Sequence, residues 1–447
     1  MDLVCSNVCS DHTGCLLSDG ALIGVGSATF YNPPLHARSG CHRVHGNLEH
    51  EQQRVVLRTL RRLQSTSCDN ATRLAAYWNA GFAASFHYLV LQLKQNLRRG
   101  GGSLVFGHGA FASGNRWRAV DGRHFLYGAC ASGGLECVFN LSRISACAAH
   151  TRVRAAVRHL QHDLPRHHAA DVTFVSPLDW QLYYPSRRID DAPEWSPTHS
   201  LGTLWLISTL SGFLFQLNDH MRDEVDQRRS LIGLARPSVS SSTSAPRPSA
   251  PRFLGVQIRR GDACPLKNTS ARSAVSAQGT QGLPTLTREC APTARYVAPI
   301  LRLASTHKLN TVLLATDDMN ATAELTAALA STPHPMRVIS QGASALRSND
   351  PRESTKRIER RLAGLKRSSR TLHAATVEVL TDIDTLADAD AFVGPMTSQV
   401  MRLAFELSLF RKGRVVPFES LDIGWCWGGY AAVPVTHRDG GKWTLTC

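Results

Sequence analysis

The stretch that decides the fold is TDIDTLADADAFVGPMTSQVMRLAFEL, residues 381–407. It begins with polar and acidic residues, continues with the apolar run Ala391 to Val393, and turns at Gly394-Pro395. The apolar residues that follow share one helical face: Val400, Leu403, Ala404 and Leu407. The pattern predicts a buried strand, a tight turn and a helix, which is the repeating unit of a parallel α/β sheet.

Thr397, Ser398 and Gln399 would lie at the first turn of this helix. Free amide N–H groups and the positive end of the helix dipole make such a position an anion site, and hydroxyl groups add donors. The alternative is an ordinary Ser/Thr cap.

Other segments of the C-terminal half repeat this unit. Short apolar runs at Phe253 to Ile258, Thr311 to Ala315 and Met336 to Ile339 predict strands. Helical stretches lie between them and before the strand at Ala391: Tyr296 to Ser305, Ala321 to Ala330 and Leu372 to Leu386. We expect a Rossmann-like parallel sheet, with ligands beyond the carboxyl ends of its strands.

Two arginines follow the first of these strands, in Gln257-Ile258-Arg259-Arg260-Gly261-Asp262. Alternation along a strand sends neighbouring side chains to opposite sides, so one arginine would face the cleft while the other braces a carboxylate. A guanidinium fits a pair of phosphate oxygens and would stabilise a leaving diphosphate. The alternative is a structural Arg–Asp pair at a turn.

Two carboxylates follow the second strand, at Asp317 and Asp318. They make a poor octahedral metal site because no third carboxylate or His lies nearby in sequence. Asp318 directly precedes a helix and is a suitable cap; an acceptor for sugar hydroxyls is the other interpretation.

The N-terminal half also predicts α/β structure. Phe82, Phe86, Val90 and Leu93 share one face of a helix over Gly81 to Leu97, an apolar strand follows at Ser103 to Phe106, and Leu201 to Asn218 predicts a buried helix. Residues 236–251 hold ten Ser or Pro in sixteen positions and predict a linker or loop. We therefore expect an N-terminal lobe over 1–229, a linker at 230–252 and a C-terminal lobe over 253–447.

Composition limits the function classes. With 43% hydrophobic and 19% charged residues, the 447-residue chain is neither collagenous, a coiled coil nor disordered throughout. Its formal charge of +15 fits polyanionic partners such as nucleotides, and it also fits a merely basic surface. Nine Lys or Arg at 347–370 lack interleaved aromatic side chains, so we expect a solvated face and not a nucleic-acid groove.

Cysteines and glycosylation sequons indicate the secretory pathway. Twelve cysteines without a CxxC pair favour disulfides, and four sequons occur, at Asn70, Asn140, Asn268 and Asn320. No run of about 20 apolar residues occurs and Met1 to Cys15 lacks a signal-peptide core. An anchor is therefore not visible in this chain; we expect either a soluble protein or one anchored by a segment upstream.

Taken together, the three motifs closely resemble the α1,6-fucosyltransferase family, which includes the core fucosyltransferase of N-glycans and the Nod-factor fucosyltransferases. The resemblance lies in the spacing from Asp382 through Ala389-Asp390 to Ser398-Gln399-Val400 and Arg402, preceded in order by Arg259 to Asp262 and Ala315 to Asp318. It is specific over residues 253–411 and thinner over 75–225. It implies a GT-B-like fold of two facing lobes, with the donor GDP-fucose on the C-terminal lobe.

The resemblance also implies roles for individual residues. Arg259 would contact the diphosphate and assist its departure, and Asp382 would bind the guanine. The other donor-binding positions would be Gln257, Arg260, Asp262, Tyr296, Asp317, Asp318, Val379, Thr397, Ser398, Gln399 and Arg402. Gln257 stands where the family usually has His, and Ala263 replaces a basic residue. Glu289, the carboxylate nearest to Tyr296 in the divergent loop, is the candidate for the general base. The alternative is that Glu289 is a surface residue beside a disulfide that joins Cys264 to Cys290.

The resemblance implies transfer of fucose from GDP-fucose to a glycan hydroxyl, on an N-glycan, with inversion and without a metal or other cofactor. The expected compartment is the Golgi or secretory lumen. The alternatives are a protein O-fucosyltransferase, a polysaccharide fucosyltransferase, and a non-catalytic binder of GDP-sugars or polyanions. Partners would be the donor and a glycan or glycoprotein acceptor, and no nucleic acid.

Overall fold

The structure is a computed structural model. It describes the longer ranges 50–65, 135–147, 203–236, 251–260, 291–342, 369–396 and 398–421. It also describes shorter pieces: 2–5, 15–16, 22–23, 41–44, 72–74, 82–83, 86–87, 89–90, 93–94, 103–106, 110–113 and 116–119. Every structural statement below concerns these residues.

The described strands of the first 119 residues are short and pair in twos. The pairs are β1 (Asp2–Cys5) with β4 (Cys41–Val44), β2 (Cys15–Leu16) with β3 (Leu22–Ile23), β5 (Thr72–Leu74) with β6 (Leu104–Phe106), and β7 (Ala110–Ser113) with β8 (Arg116–Ala119). β5 and β6 are parallel and the other pairs antiparallel. β6 coincides with the strand predicted at Ser103 to Phe106, after the helix predicted over Gly81 to Leu97.

A five-stranded parallel sheet forms the centre of the C-terminal half. Its strands are β9 (Leu254–Ile258), β10 (Thr311–Thr316), β11 (Arg337–Ile339), β12 (Ala391–Gly394) and β13 (Phe418–Ser420). The first four confirm the predicted strands. All residues of β9 and β12 are buried, as expected for parallel strands covered on both faces. The α/β class and the Rossmann-like sheet are thus confirmed.

The described helices include all those predicted between the strands of the sheet. They are α1 (His50–Gln64), α2 (Leu141–Ile144), α3 (Thr203–Leu214), α4 (Asp219–Leu231), α5 (Ala294–His307), α6 (Met319–Ala330), α7 (Ser369–Leu386) and α8 (Gln399–Lys412), with a short 3-10 turn at Leu135–Cys137. No described helix has both the length and the apolar character needed to cross a bilayer.

The strand order β11-β10-β9-β12-β13 places β9 at the centre of the sheet. From β9 the chain moves to β10 and β11 on one side, and then crosses back to β12 and β13 on the other. The topological switch point therefore lies between β9 and β12, and in open α/β sheets ligands bind outside the carboxyl ends of the strands at such a point.

The two faces of β9 contact different helices. Leu254, Val256 and Ile258 share a core with α5 and α6. Gly255 points to the opposite face, where a Cβ would lie 2.9 Å from both Leu386 Cδ2 and Ala389 Cβ. The absence of a side chain at this position lets the end of α7 approach the sheet closely.

Helices from the N-terminal half pack directly on α7 and α8. Phe82, Phe86, Val90 and Leu93 are helical and buried, as predicted, and α3 is buried from Leu206 to Leu214. These residues belong to one apolar core with residues of α7 and α8. The predicted domain boundaries stay a prediction, and residues 237–250 of the expected linker lie outside the described residues.

The packing around α8 differs from the expected single apolar face. The helix is buried on all sides from Met401 to Leu409, whereas Val400 is only half-buried. Buried polar groups are accommodated by pairing: Glu406 accepts a hydrogen bond from Ser211 Oγ of α3 at 2.8 Å and lies 3.1 Å from His87 Nε2. A helix sandwiched between α3 and the sheet has no solvent face, and periodicity alone could not show this.

A buried ion cluster joins α4, α7 and α8. Asp384 of α7 is 1% exposed and accepts hydrogen bonds from Arg229 Nη1 at 2.8 Å and Arg411 Nη2 at 2.6 Å. It also pairs with Arg236. Burial alone would favour the neutral carboxyl, but the positive charges of Arg411, Arg236 and Arg229 outweigh it and hold the pKa of Asp384 well below its ordinary value.

Asp384→Asn should lower the free energy of unfolding by about 3–5 kcal/mol, because removal of one partner leaves buried charges uncompensated. Urea denaturation at pH 7 measures the loss. The exposed Asp223→Asn, which makes the same chemical change on α4, is the control. A loss no larger than about 1 kcal/mol, the value of a surface pair, would show that the cluster does not hold these helices.

Candidate functional site

The carboxyl ends of β9, β10 and β12 lie side by side. Thr316, the last residue of β10, pairs with Ile258, and Val393 of β12 pairs with Val256. The residues that follow the three strands are Arg259-Arg260, Asp317-Asp318 and the turn into α8. The three predicted motifs therefore meet at one edge of the sheet, at its switch point.

Arg260 is a bracing residue on the side of α5 and α6. Its guanidinium donates to Asp318 Oδ2 at 3.1 Å and to Glu324 Oε2 of α6 at 2.6 Å, and it contacts the hydroxyl of Thr293. The hydrogen bond with Glu324 raises the pKa of Arg260 despite partial burial, and the same contact lowers the pKa of Glu324. The guanidinium N–H groups of Arg260 therefore donate to acceptors within the protein.

Arg259 pairs with a different carboxylate, Asp317. The other oxygen of that carboxylate, Asp317 Oδ1, accepts the backbone N–H of Arg260 at 2.9 Å, so Asp317 fixes both the side chain of one arginine and the main chain of the next. The Arg259 side chain remains 18% exposed, while that of Asp317 is 7% exposed. Each arginine thus pairs with a carboxylate and both side chains are 18% exposed, so the division into one ligand-facing and one bracing arginine stays a prediction.

Asp318 has two structural roles. As the N-cap of α6 it accepts the backbone N–H of Asn320 at 3.0 Å, which confirms the predicted cap. Its second carboxylate oxygen accepts from Arg260. Asp318 therefore links the start of α6 to the end of β9, and its oxygens are engaged in holding the site together.

The turn from β12 into α8 is compact. A Cβ on Gly394 would lie 2.8 Å from Met401 Cε and 3.0 Å from the carbonyl oxygen of Gln257, so a glycine is needed for this approach to β9. Ser398 is the N-cap residue of α8, and its side chain makes no capping hydrogen bond. The first-turn amides of α8 thus lack the Ser398 hydroxyl as a partner, in contrast to the ordinary cap at Asp318.

Arg402 supports this turn from within the protein. The residue is 2% exposed, and its Nη2 donates to the carbonyl oxygen of Met396 at 2.9 Å. The backbone N–H of Ser398 donates to Pro395 at 3.0 Å in the same turn. Arg402 thus supports the turn into α8 from inside the fold, and Gln399 and Val400 are half-buried residues of the first turn of α8.

Asp382 lies on α7, beside the end of β11. Its Oδ1 accepts a hydrogen bond from Gln341 Nε2 at 2.6 Å. The same nitrogen donates to the carbonyl oxygen of Glu378 at 2.9 Å, and Arg228 Nη1 lies 3.4 Å from Gln341 Oε1. Asp382 and Val379, three residues apart and both half-buried, share one face of α7.

Several predicted donor-site residues are buried, among them Gln257, Tyr296 and Ser398, the last 5% exposed. Gln257 is 4% exposed in β9, and its Oε1 has no hydrogen-bond partner among the described residues. Tyr296 is 2% exposed in the first turn of α5, within the core shared with α6. Asp262, Glu289, Thr397 and the proposed pairing of Cys264 with Cys290 lie outside the described residues. Cys137 and Cys147 are disulfide-bonded.

Sequence reasoning missed three residues that hold the site: Thr293, Glu324 and Gln341. Gln341 follows β11 by two residues and could have been found by inspecting the end of every strand. Thr293 and Glu324 gave no signal, because their proximity to Arg260 depends on the packing of α5 against α6.

Solved structures of fucosyltransferases are among those similar to this chain. A crystal structure of POFUT1 in complex with GDP is 13% identical, with a TM-score of 0.38 over 80% of this chain and 99% of that one. NodZ α-1,6-fucosyltransferase soaked with GDP-fucose is 14% identical, with a TM-score of 0.36 over 76% and 92%. NodZ from Bradyrhizobium is 13% identical, with a TM-score of 0.38 over 75% and 92%.

No family model and no curated protein matches the sequence. At these identities and TM-scores, we base the functional interpretation on the geometry of the described residues.

Arg402→Leu should raise the hydrogen-exchange rate of the Ser398 amide about tenfold or more, because a hydrogen bond from a charged donor to the turn is lost. Exchange followed by mass spectrometry measures this, with peptides of α6 reporting on global unfolding. The control is Arg302→Leu, whose side chain is 63% exposed. Equal protection of Ser398 in the wild type and Arg402→Leu would show that Arg402 does not support the turn.

Proposed function

We propose that this chain is an inverting glycosyltransferase that moves fucose from GDP-fucose to a glycan hydroxyl. The observation that supports the proposal is the pairing of β9 with β12 at the switch point of a parallel sheet, since Arg259 follows the first strand and the start of α8 follows the second. A cation on one side and a helix N-terminus on the other form a site for a diphosphate.

In the proposed reaction, the oxygen of the acceptor hydroxyl attacks the anomeric carbon of fucose from the side opposite GDP. The bond from that carbon to the β-phosphate oxygen breaks, and GDP leaves with the electron pair. Arg259 and the first amides of α8 neutralise the growing negative charge, so this proposal needs no metal at the diphosphate. A general base takes the hydroxyl proton, and Glu289 is our candidate.

Preorganisation supports the role of Arg259. Its carboxylate partner, Asp317, is itself held by the main chain of Arg260, and Arg260 is held by Asp318, Glu324 and Thr293. An arginine fixed before the ligand arrives loses little side-chain entropy on binding, which favours charge stabilisation in the transition state.

Asp382 is the candidate for guanine recognition. A carboxylate accepts two hydrogen bonds and suits a base edge with adjacent N–H donors, as guanine has and adenine does not. Gln341 orients this carboxylate at 2.6 Å. Val379, on the same face of α7, offers apolar surface for the purine ring.

The candidate acceptors are an N-glycan, as the resemblance implies, a polysaccharide, and a protein hydroxyl, as in protein O-fucosyltransferases. The described residues favour none of them. We propose the secretory lumen as the compartment, since Asn320, one of the sequon asparagines, is exposed and Cys137 and Cys147 are disulfide-bonded.

Arg259→Ala should reduce fucose transfer about 100-fold or more, because the main cation at the leaving group is removed. Purified protein is incubated with GDP-fucose in EDTA, with N-glycan, polysaccharide and folded-domain acceptors in parallel, and products are measured by mass spectrometry. Arg302→Ala removes the same charge at an exposed position and should be fully active.

The acceptor that gains fucose identifies the class of transferase. Binding of GDP to the wild type without hydrolysis or transfer on any acceptor would contradict the proposed reaction and favour the non-catalytic binder. Unchanged transfer by Arg259→Ala would contradict the role of this arginine.

Asp382→Asn should abolish the preference for GDP over ADP, because an amide presents a donor where the guanine edge requires an acceptor. Calorimetry with both nucleotides at low and high salt measures this preference. The wild type should prefer GDP at every ionic strength, whereas binding governed by net charge would weaken steeply with salt and ignore the base. Asp223→Asn is the control, and the same preference in Asp382→Asn would disprove the assignment.

A further inference from the structure

Three potential metal ligands converge where α4 packs against α7, apart from the proposed donor site. His220 and Glu224 lie one turn apart on α4, with His220 Nε2 3.2 Å from Glu224 Oε1. His373 of α7 has its Nε2 2.7 Å from Glu224 Oε2. One ligand atom from each of the three residues falls within 4.8 Å of the other two.

The arrangement of the side chains fits a small divalent cation. The two imidazole rings are stacked, with centroids 5.8 Å apart and planes inclined by 12°, so both rings present Nε2 toward the same carboxylate. Zinc binds imidazole nitrogen and carboxylate oxygen at about 2.0–2.2 Å, which places tetrahedral ligand atoms roughly 3.3 Å apart. The observed separations require only a small opening of the cluster to admit the ion.

The donor set also has the right chemistry. Two neutral imidazoles and one carboxylate are ligands that zinc commonly takes, with water in the fourth position. The side chain of His220 is 72% exposed, that of Glu224 29% and that of His373 19%, so an ion and its water can reach the cluster from solvent. The alternative is a purely hydrogen-bonded cluster in which Glu224 accepts from both rings.

We propose that His220, Glu224 and His373 bind one Zn²⁺ ion that links α4 to α7. The ion would hold α4 where this helix contributes Arg229 to Asp384 and Arg228 to Gln341, the residue that orients Asp382. His373 and Asp382 are nine positions apart on α7, about 13 Å along the helix axis. The role of the ion is therefore structural, and the proposal does not depend on the transferase function.

Zinc titration of the tag-free, metal-stripped protein tests the site. The wild type should bind one more equivalent of Zn²⁺ than His220→Ala, and zinc should raise its Tm by about 2 °C or more relative to that variant. Because His220 is mostly exposed, its removal should leave the apo fold intact. His334→Ala, at another exposed histidine, is the control and should bind zinc as the wild type does.

Glu224→Gln provides a second variant that preserves the shape of the side chain and removes its charge. This variant should also bind one equivalent of Zn²⁺ fewer than the wild type, since a neutral amide is a weak zinc ligand. If the wild type, His220→Ala and Glu224→Gln bind zinc with the same stoichiometry and affinity, the metal occupies other histidines of the chain and the proposal is wrong.

Discussion

The position of β9 at the centre of the parallel sheet is the constraint on which the rest of the structure depends. The chain leaves β9 toward β10 and β11 and later returns to its other side as β12. The helices of the two crossovers pack on different faces of the sheet. We propose that an anion binds beside the carboxyl ends of β9 and β12, where ligands bind in open α/β sheets, and that the side chains there determine which anion it is.

Most charged side chains at the carboxyl ends of β9 and β10 form ion pairs with one another. Arg260, Asp318 and Glu324 form a network that fixes the ends of two strands and the start of α6. Asp384, which is buried, connects α4, α7 and α8 through its ion pairs with Arg229 and Arg411. Rigid supports of this kind let Arg259 and the first turn of α8 keep their positions when a ligand is absent, which is what electrostatic catalysis requires.

The sequence was sufficient to predict the sheet and much of the site, for physical reasons that particular residues show. Runs such as Thr311 to Ala315 are continuously apolar because parallel strands are covered on both faces, and the residues after them are polar because a binding edge follows. β13 was missed because it is three residues long and carries Glu419 at its centre. α4 was missed because it is dominated by charged residues, and its buried side, with Met221, Val225 and Arg229, is narrow.

Contacts between distant parts of the chain could not be predicted in the same way. The partners of Arg260 on α5 and α6, and of Asp382 at Gln341, are set by helix packing, which leaves no local trace in the sequence. The convergence of His220 with His373 across 153 positions (373 − 220) is of the same kind.

A crystal structure of the chain soaked with GDP tests the central claim most directly. The account predicts that the diphosphate lies between the Arg259 guanidinium and the first amides of α8 at Ser398, with the base at Asp382. A diphosphate bound elsewhere on the protein, with Arg259 still paired only with protein carboxylates, would contradict it.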